Sequence, residues 1–195
     1  MECKPIIEGF HTNDKERSCI FLEDVDYLIH SEDEDWLGYG MYFWDNLSNA
    51  KYWINKKTKR GVKKEVSITK SHIIIDENLD LSDEDIMKTM NELWIEICLK
   101  EKKKIESENK KLYYPKNKKI EELTGKKIDY IFEYFEKFKA FKTIKAIGYY
   151  PNRKENDFFY KVDLSKGHVT GLAKVIYCVR DSNKVINRKE VYCCE

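Results

Sequence analysis

The sequence has no run of about 18 apolar residues, the length a helix needs to cross a bilayer. Its first residues, Met1-Glu2-Cys3-Lys4-Pro5, show no charged segment followed by an apolar stretch. No secretory signal and no membrane partner are therefore expected, and a cytoplasmic location with reduced thiols is. The six cysteines form no CxxC, and the four histidines (His11, His30, His72, His168) stand alone, so a zinc site is not expected. Neither GxGxxG after a strand nor GxxxxGKS/T occurs, which removes the common dinucleotide and P-loop phosphate cradles. No internal repeat is visible. An excess of one charge sign is missing too. Lys and Arg number 36 against 35 Asp and Glu, a net charge of +1, which excludes a globally basic nucleic-acid binder.

What is present suits one globular domain. The 195 residues are 42% apolar and 13% aromatic, enough for a real core, and 36% charged, which demands a very polar surface. Charge is segregated. Residues 22–35 carry seven acids and no Lys or Arg, and residues 100–119 carry nine Lys against three Glu. Each patch reads as a solvated face or as a docking surface.

Three regions follow. Residues 1–81 read as short strands at 19–22, 40–44, 65–68 and 72–76, with a helix at 47–58. Residues 82–142 read as helical. Ser82 is the expected N-cap, Ile86, Met90, Leu93, Trp94 and Ile97 form one apolar stripe, and Ile128, Ile131, Phe132, Phe135 and Phe138 form a second. The Lys-rich stretch around Pro115 reads as an exposed connection. Residues 143–188 return to strands at 143–147, 157–162, 174–179 and 184–186, and Cys193-Cys194 reads as an inert tail. Strands, then helices, then strands predict an α+β fold rather than a doubly wound sheet.

The chemically informative stretch is Asp35-Trp36-Leu37-Gly38-Tyr39-Gly40-Met41-Tyr42-Phe43-Trp44-Asp45. Two glycines two apart suit a tight turn with close backbone approach. Tyr42, Phe43 and Trp44 alternate sides of a strand. Tyr52 and Trp53 follow on the expected helix, so a strand aromatic and a helix aromatic can face one another across a slot that takes a flat ring. An aromatic-rich core is the competing explanation. Upstream, Ile6-Ile7-Glu8-Gly9-Phe10-His11-Thr12 sets a lone His after a short apolar run.

Taken together, this His element, the GxGxYF segment and the Ser48/Ala50/Tyr52 spacing resemble the ADP-ribosyltransferase fold. The likeness is to the diphtheria-toxin/poly(ADP-ribose) polymerase branch and its bacterial and phage toxin-like members. It covers roughly residues 6–55 and 172–187. The resemblance implies a single domain over 1–195 with a split antiparallel β-sheet core and a helical, Lys-rich insertion at about 82–142. It implies a mono-ADP-ribosyltransferase, a glycosyl transfer from NAD to an intracellular protein or nucleic acid. A toxin–antitoxin or phage-defence effector with an antitoxin or immunity partner is the corresponding role.

By the same resemblance, His11 meets the adenosine ribose of NAD and the backbone of Thr12 meets the nicotinamide carboxamide. Tyr42 stacks on the nicotinamide, with Tyr52 or Trp53 on its other side. Ser48 or Asn49 holds the carboxamide, and Gly38 and Gly40 shape the turn below. Two positions depart from the family pattern. Thr12 stands for the usual Gly, and Ile176 falls where the catalytic Glu is expected, with Asp181 and Glu190 as the nearby acids. The alternative is an inactive module of this fold that binds a protein or nucleic acid through the basic insertion, where Tyr113 and Tyr114 lie among lysines.

Overall fold

β-Branched and aromatic residues cluster on either side of a long polar stretch with helical periodicity, and the backbone follows that division. A computed structural model of the chain describes residues 4–31, 34, 36–59, 65–111, 123–150 and 170–194. Among them the order is β1 (Ile6–Asp14), α1 (Lys15–Glu23), β2 (Met41–Trp44), α2 (Leu47–Lys59), β3 (Val66–Ile74), β4 (Asn78–Asp80), α3 (Glu84–Lys111) and α4 (Thr124–Tyr134). A 3-10 turn at Glu136–Ala140 leads into β5 (Thr143–Tyr149) and β6 (Ala173–Val179). A second one at Ser182–Lys184 leads into β7 (Val185–Cys194). The protein is α+β, and the seven strands form one mixed sheet in the order β4-β5-β6-β2-β1-β3-β7. The β4–β5 pair is parallel and the other pairs are antiparallel. No helix among the described residues is long and apolar enough to cross a membrane.

Each face of the sheet has its own core. Phe10, Trp44, Ile68, Ile144, Ile176 and Cys178 pack with residues of α2, α3 and α4. Met41, Phe43, Ile73, Tyr177 and Val179 pack on the opposite face with Phe21 of α1 and with Leu28 and Ile29. Strand neighbours alternate between the two cores, as the pleat requires.

Several local expectations are corrected. Residues 19–22 are not a strand but the end of α1. Asp14 caps that helix by accepting from the Arg17 N–H, Ser18 donates to the Asp14 carbonyl, and residues 18 and 21, one helical turn apart, are the buried ones. A four-residue apolar run carries no period of its own, and the cap decides. The strands expected at 65–68 and 72–76 are one continuous strand, β3. Asp83, not Ser82, caps α3, because its Oδ1 accepts from the N–H groups of Asp85 and Ile86 while the Ser82 hydroxyl turns to Asp80. Cys193 and Cys194 are not tail; they complete β7, in register with Ser67 and Val66. Phe135 and Phe138 lie beyond the end of α4, with Phe138 buried in the following 3-10 turn. The strand expected at 157–162 and the connection around Pro115, with Tyr113 and Tyr114, lie outside the described residues.

Candidate functional site

β1 pairs along its whole length with β3, and β2 pairs along its length with β6. Between β1 and β2 the only register pair is Phe10 with Trp44. Beyond that point the two central strands part, and His11 lies at the seam. Its Nδ1 is 2.6 Å from the Tyr42 carbonyl oxygen, and its Nε2 is 3.2 Å from the Asn13 amide nitrogen. A carbonyl can only accept, so Nδ1 carries the proton and Nε2 accepts from Asn13. The imidazole is thereby fixed in tautomer and orientation, and it is only 8% exposed. Next along β1, the Thr12 hydroxyl donates to the Ala50 carbonyl at 2.9 Å, which ties α2 to the same seam.

Tyr42 is held from below. Its hydroxyl donates to the Gly38 carbonyl at 2.7 Å and accepts from the Leu37 N–H at 3.0 Å. The turn that supplies these groups depends on its two glycines. Gly38 has φ +76° and Gly40 has φ +150°, and a side chain on Gly40 would meet the Cys178 sulfur and the Val179 carbonyl. Asp129 of α4 fixes the same turn, its carboxylate oxygens each accepting from the Tyr39 N–H at 3.1 Å. Cys178, buried beside the turn, has its thiol pushed up to about 12 by burial, which leaves it unreactive.

At the seam lies a cleft of about 570 Å³. His11, Thr12, Tyr42, Trp44, Trp53 and Ile176 line it, together with Trp36 and the 27–31 segment. Trp44 and Trp53 stack at 5.9 Å and 29°, with Trp36 edge-on to Trp53 at 6.2 Å. The Trp53 indole nitrogen is buried without a partner. Ile176, opposite Trp44 in register, is 2% exposed. The described lining contains no carboxylate.

Of the residues singled out from the sequence, His11, Thr12, Tyr42, Trp53 and Ile176 thus meet in one cleft. Gly38 and Gly40 form the turn under Tyr42. Tyr52 is outside the lining, its ring against Tyr150 at 6.2 Å. Ser48 and Asn49 are also outside it, engaged at the start of α2. Ser48 donates to the Asn46 side chain, and the Asn49 amide donates to Asp45. Asp181 accepts from the Asn183 N–H, and Glu190 is in register with Thr69; neither lines the cleft.

Sequence reasoning did not single out the wall at 27–31. Its His30 stacks on Tyr39 at 4.1 Å and 17°. Burial, and next the Arg180 charge, hold that imidazole below its ordinary value, so it is neutral at pH 7. Nothing local in sequence marks this wall, because distant groups hold it: Arg188 of β7 binds the Tyr27 carbonyl and those of the chain just before it, the Ser31 N–H donates to the Gly40 carbonyl at 2.8 Å, and Leu28 and Ile29 pack into the core. No protein-family model, curated protein or solved structure matches the chain.

Proposed function

We propose that the protein is an NAD-dependent mono-ADP-ribosyltransferase with the core of the diphtheria-toxin/poly(ADP-ribose) polymerase branch, acting on an intracellular macromolecule as a toxin-like or phage-defence effector. One observation carries this reading: His11, Tyr42 and Trp53 converge on one cleft where the two central strands part. The cleft's size falls within the roughly 300–1,000 Å³ of small-molecule sites. Its aromatic lining suits the flat, cationic nicotinamide ring, and the unpartnered Trp53 N–H adds a donor that a polar ligand group can satisfy.

In this reading Tyr42 and Trp53 hold the nicotinamide, Thr12 meets its carboxamide, and His11 orients the adenosine ribose, its Nε2 exchanging the Asn13 amide for a ribose hydroxyl. NAD supplies an activated ADP-ribose and a neutral leaving group. The seam residues contribute orientation and exclusion of water. With Ile176 where the family has its acid, the group that orients and deprotonates the acceptor's nucleophile comes with the acceptor itself. That same residue favours a second reading, an NAD-binding module without turnover, because a missing carboxylate removes stabilisation of the developing positive charge on the ribose.

The test is incubation with NAD and cell lysate, following free nicotinamide and labelled ADP-ribose, beside a His11→Ala, Tyr42→Ala double variant checked for folding by circular dichroism. Label on macromolecules that needs both residues is the expected result. NAD binding by calorimetry with no nicotinamide released selects the second reading. No NAD binding at all overturns both.

A further inference from the structure

A second cleft, of about 800 Å³, adjoins the first, and Leu28 and His30 line both. Its charged centre is Arg180, at the end of β6. Arg180 Nη2 donates to Asp129 Oδ1 at 2.9 Å, and its guanidinium carbon lies 4.2 Å over the Phe132 ring. These contacts from α4 fix the guanidinium plane, and the side chain is 16% exposed. Its other nitrogen, Nη1, is buried with no partner. A cationic N–H group withheld from water and left unbonded is costly, and an anionic oxygen is the partner its chemistry favours.

The rest of the lining narrows the ligand. Lys139 and Lys142, on the chain between α4 and β5, line the same cleft, as does Lys126. Lys126 pairs with Glu34 and Lys139 pairs with Glu136. Lys142 donates to the Lys139 carbonyl. Tyr39, 51% exposed, presents a flat ring backed by His30. Four carboxylates are also present: Asp26, Asp129, Glu133 and Asp181. Asp129 is engaged by Arg180 and the Tyr39 N–H, and Asp181 by Asn183. A simple polyanion matches such a lining poorly. A ligand with one anionic group, one flat ring and amine donors matches it well, and a nucleotide of adenine, cytosine or guanine has all three.

We propose that this second cleft binds a nucleotide of a single-stranded nucleic acid, its phosphate on the Arg180 guanidinium and its base stacked on Tyr39. The inference rests on the NAD-cleft reading above and deepens it, because the shared wall of Leu28 and His30 places such a nucleotide next to the cleft that would hold NAD. The acceptor is then nucleic acid rather than protein.

The test omits NAD, so it is independent of whether the first cleft binds NAD, which nicotinamide release and calorimetry read separately. Fluorescence anisotropy is measured with labelled single-stranded RNA and DNA oligomers of about eight nucleotides, the scale of one binding site. The variants are Tyr39→Ala and Lys142→Glu, with thermal melts to confirm folding. Lys88→Glu, an exposed lysine of α3 outside the cleft, is the charge-matched control. The expected result is binding of one or both oligomers, about ten-fold weaker in each cleft variant, unchanged in the control, and competed by inorganic phosphate. Binding that ignores both cleft variants places nucleic acid elsewhere and overturns the proposal. Absence of oligomer binding overturns it outright, and lysate label removed by protease and not by nuclease then points to a protein acceptor.

Discussion

The two clefts share a wall yet select by different physics. The first is walled by Tyr42, Trp44, Trp53 and Trp36, and its described lining holds no carboxylate. The second sets Lys126, Lys139, Lys142 and Arg180 against Asp26, Asp129, Glu133 and Asp181. An aromatic slot recognises the shape and polarisability of a ring. A lining of mixed charge recognises ions and hydrogen-bond donors, and salt weakens it more. In the proposed reading, two unlike linings that share Leu28 and His30 suit a reaction that joins two unlike substrates. The segment at 27–31 is common to both linings, so changes that move it reach both clefts.

The largest effect is expected from Arg188, which anchors the chain leading into this segment. Arg188 of β7 donates from Nη1 to the carbonyls of Phe21, Asp24 and Tyr27 at 2.9, 2.7 and 3.0 Å, and from Nη2 to that of Val25 at 2.6 Å. Its guanidinium carbon lies 4.3 Å over the Phe21 ring. Arg188→Ala leaves those carbonyls without their donor and should cost about 3 kcal/mol in denaturant unfolding. It should also weaken NAD and oligonucleotide binding together, since both clefts lose the same wall. Arg188→Lys should recover only part, because an ammonium cannot span the carbonyls as a planar fork does. A loss below about half a kcal/mol, ordinary for a surface substitution, would show that the segment stands without Arg188.

A smaller loss is expected at Gly38. Its positive φ disfavours any side chain, and a Cβ there would run into the Asp129 carboxylate. Gly38→Ala should cost about 2 kcal/mol, in the range for a strained backbone position. The same turn anchors the Tyr42 hydroxyl in the first cleft and the Tyr39 platform in the second. Gly38→Ala should therefore impair both ligands, and an effect on only one would uncouple the clefts.

How far the sequence could be read is itself a matter of range. The Gly38–Trp44 segment and α2 follow from local signals, paired glycines and a helical window, whereas β1 reads only as a short apolar run before His11 and not as a strand. What depends on helix phase was out of reach. Tyr52 and Trp53 differ by one residue, about 100° around a helix, and only the packing of α2 on the sheet decides which meets the cleft; the structure places Trp53 there. The second cleft was less legible still, since its Asp129–Arg180 pair joins residues 51 apart in the chain. The phase assignment predicts a clean split. Trp53→Ala should weaken NAD binding by about ten-fold, or about 1.4 kcal/mol, while Tyr52→Ala should change it by less than about two-fold. Calorimetry on both variants distinguishes them, and a reversed order would put Tyr52 across from Tyr42.

The smallest effect lies away from both clefts and serves as their control. Lys184 donates to Asp76 Oδ1 at 2.7 Å and pairs with Glu77 at 2.6 Å, while Lys4 pairs with Asp76 Oδ2 at 2.9 Å. Hydrogen bonds from Lys184 and then Lys4 hold the Asp76 carboxyl down to about 2, from an ordinary 3.8. The folded state thus binds the proton less readily than the unfolded chain. The stabilisation is fully present above pH 3.8 and is lost as pH falls through about 2. Asp76→Asn should therefore lower stability by a constant amount above that window, and the gap to the wild type should close within it. NAD and oligonucleotide affinities at pH 7 should be unchanged, because Asp76 lines neither cleft. A gap that persists unchanged down to about pH 2 would mean that Asp76 acts through packing rather than charge. A change in either affinity would mean that the wall at 27–31 is held from more of the β7 side than Arg188 alone.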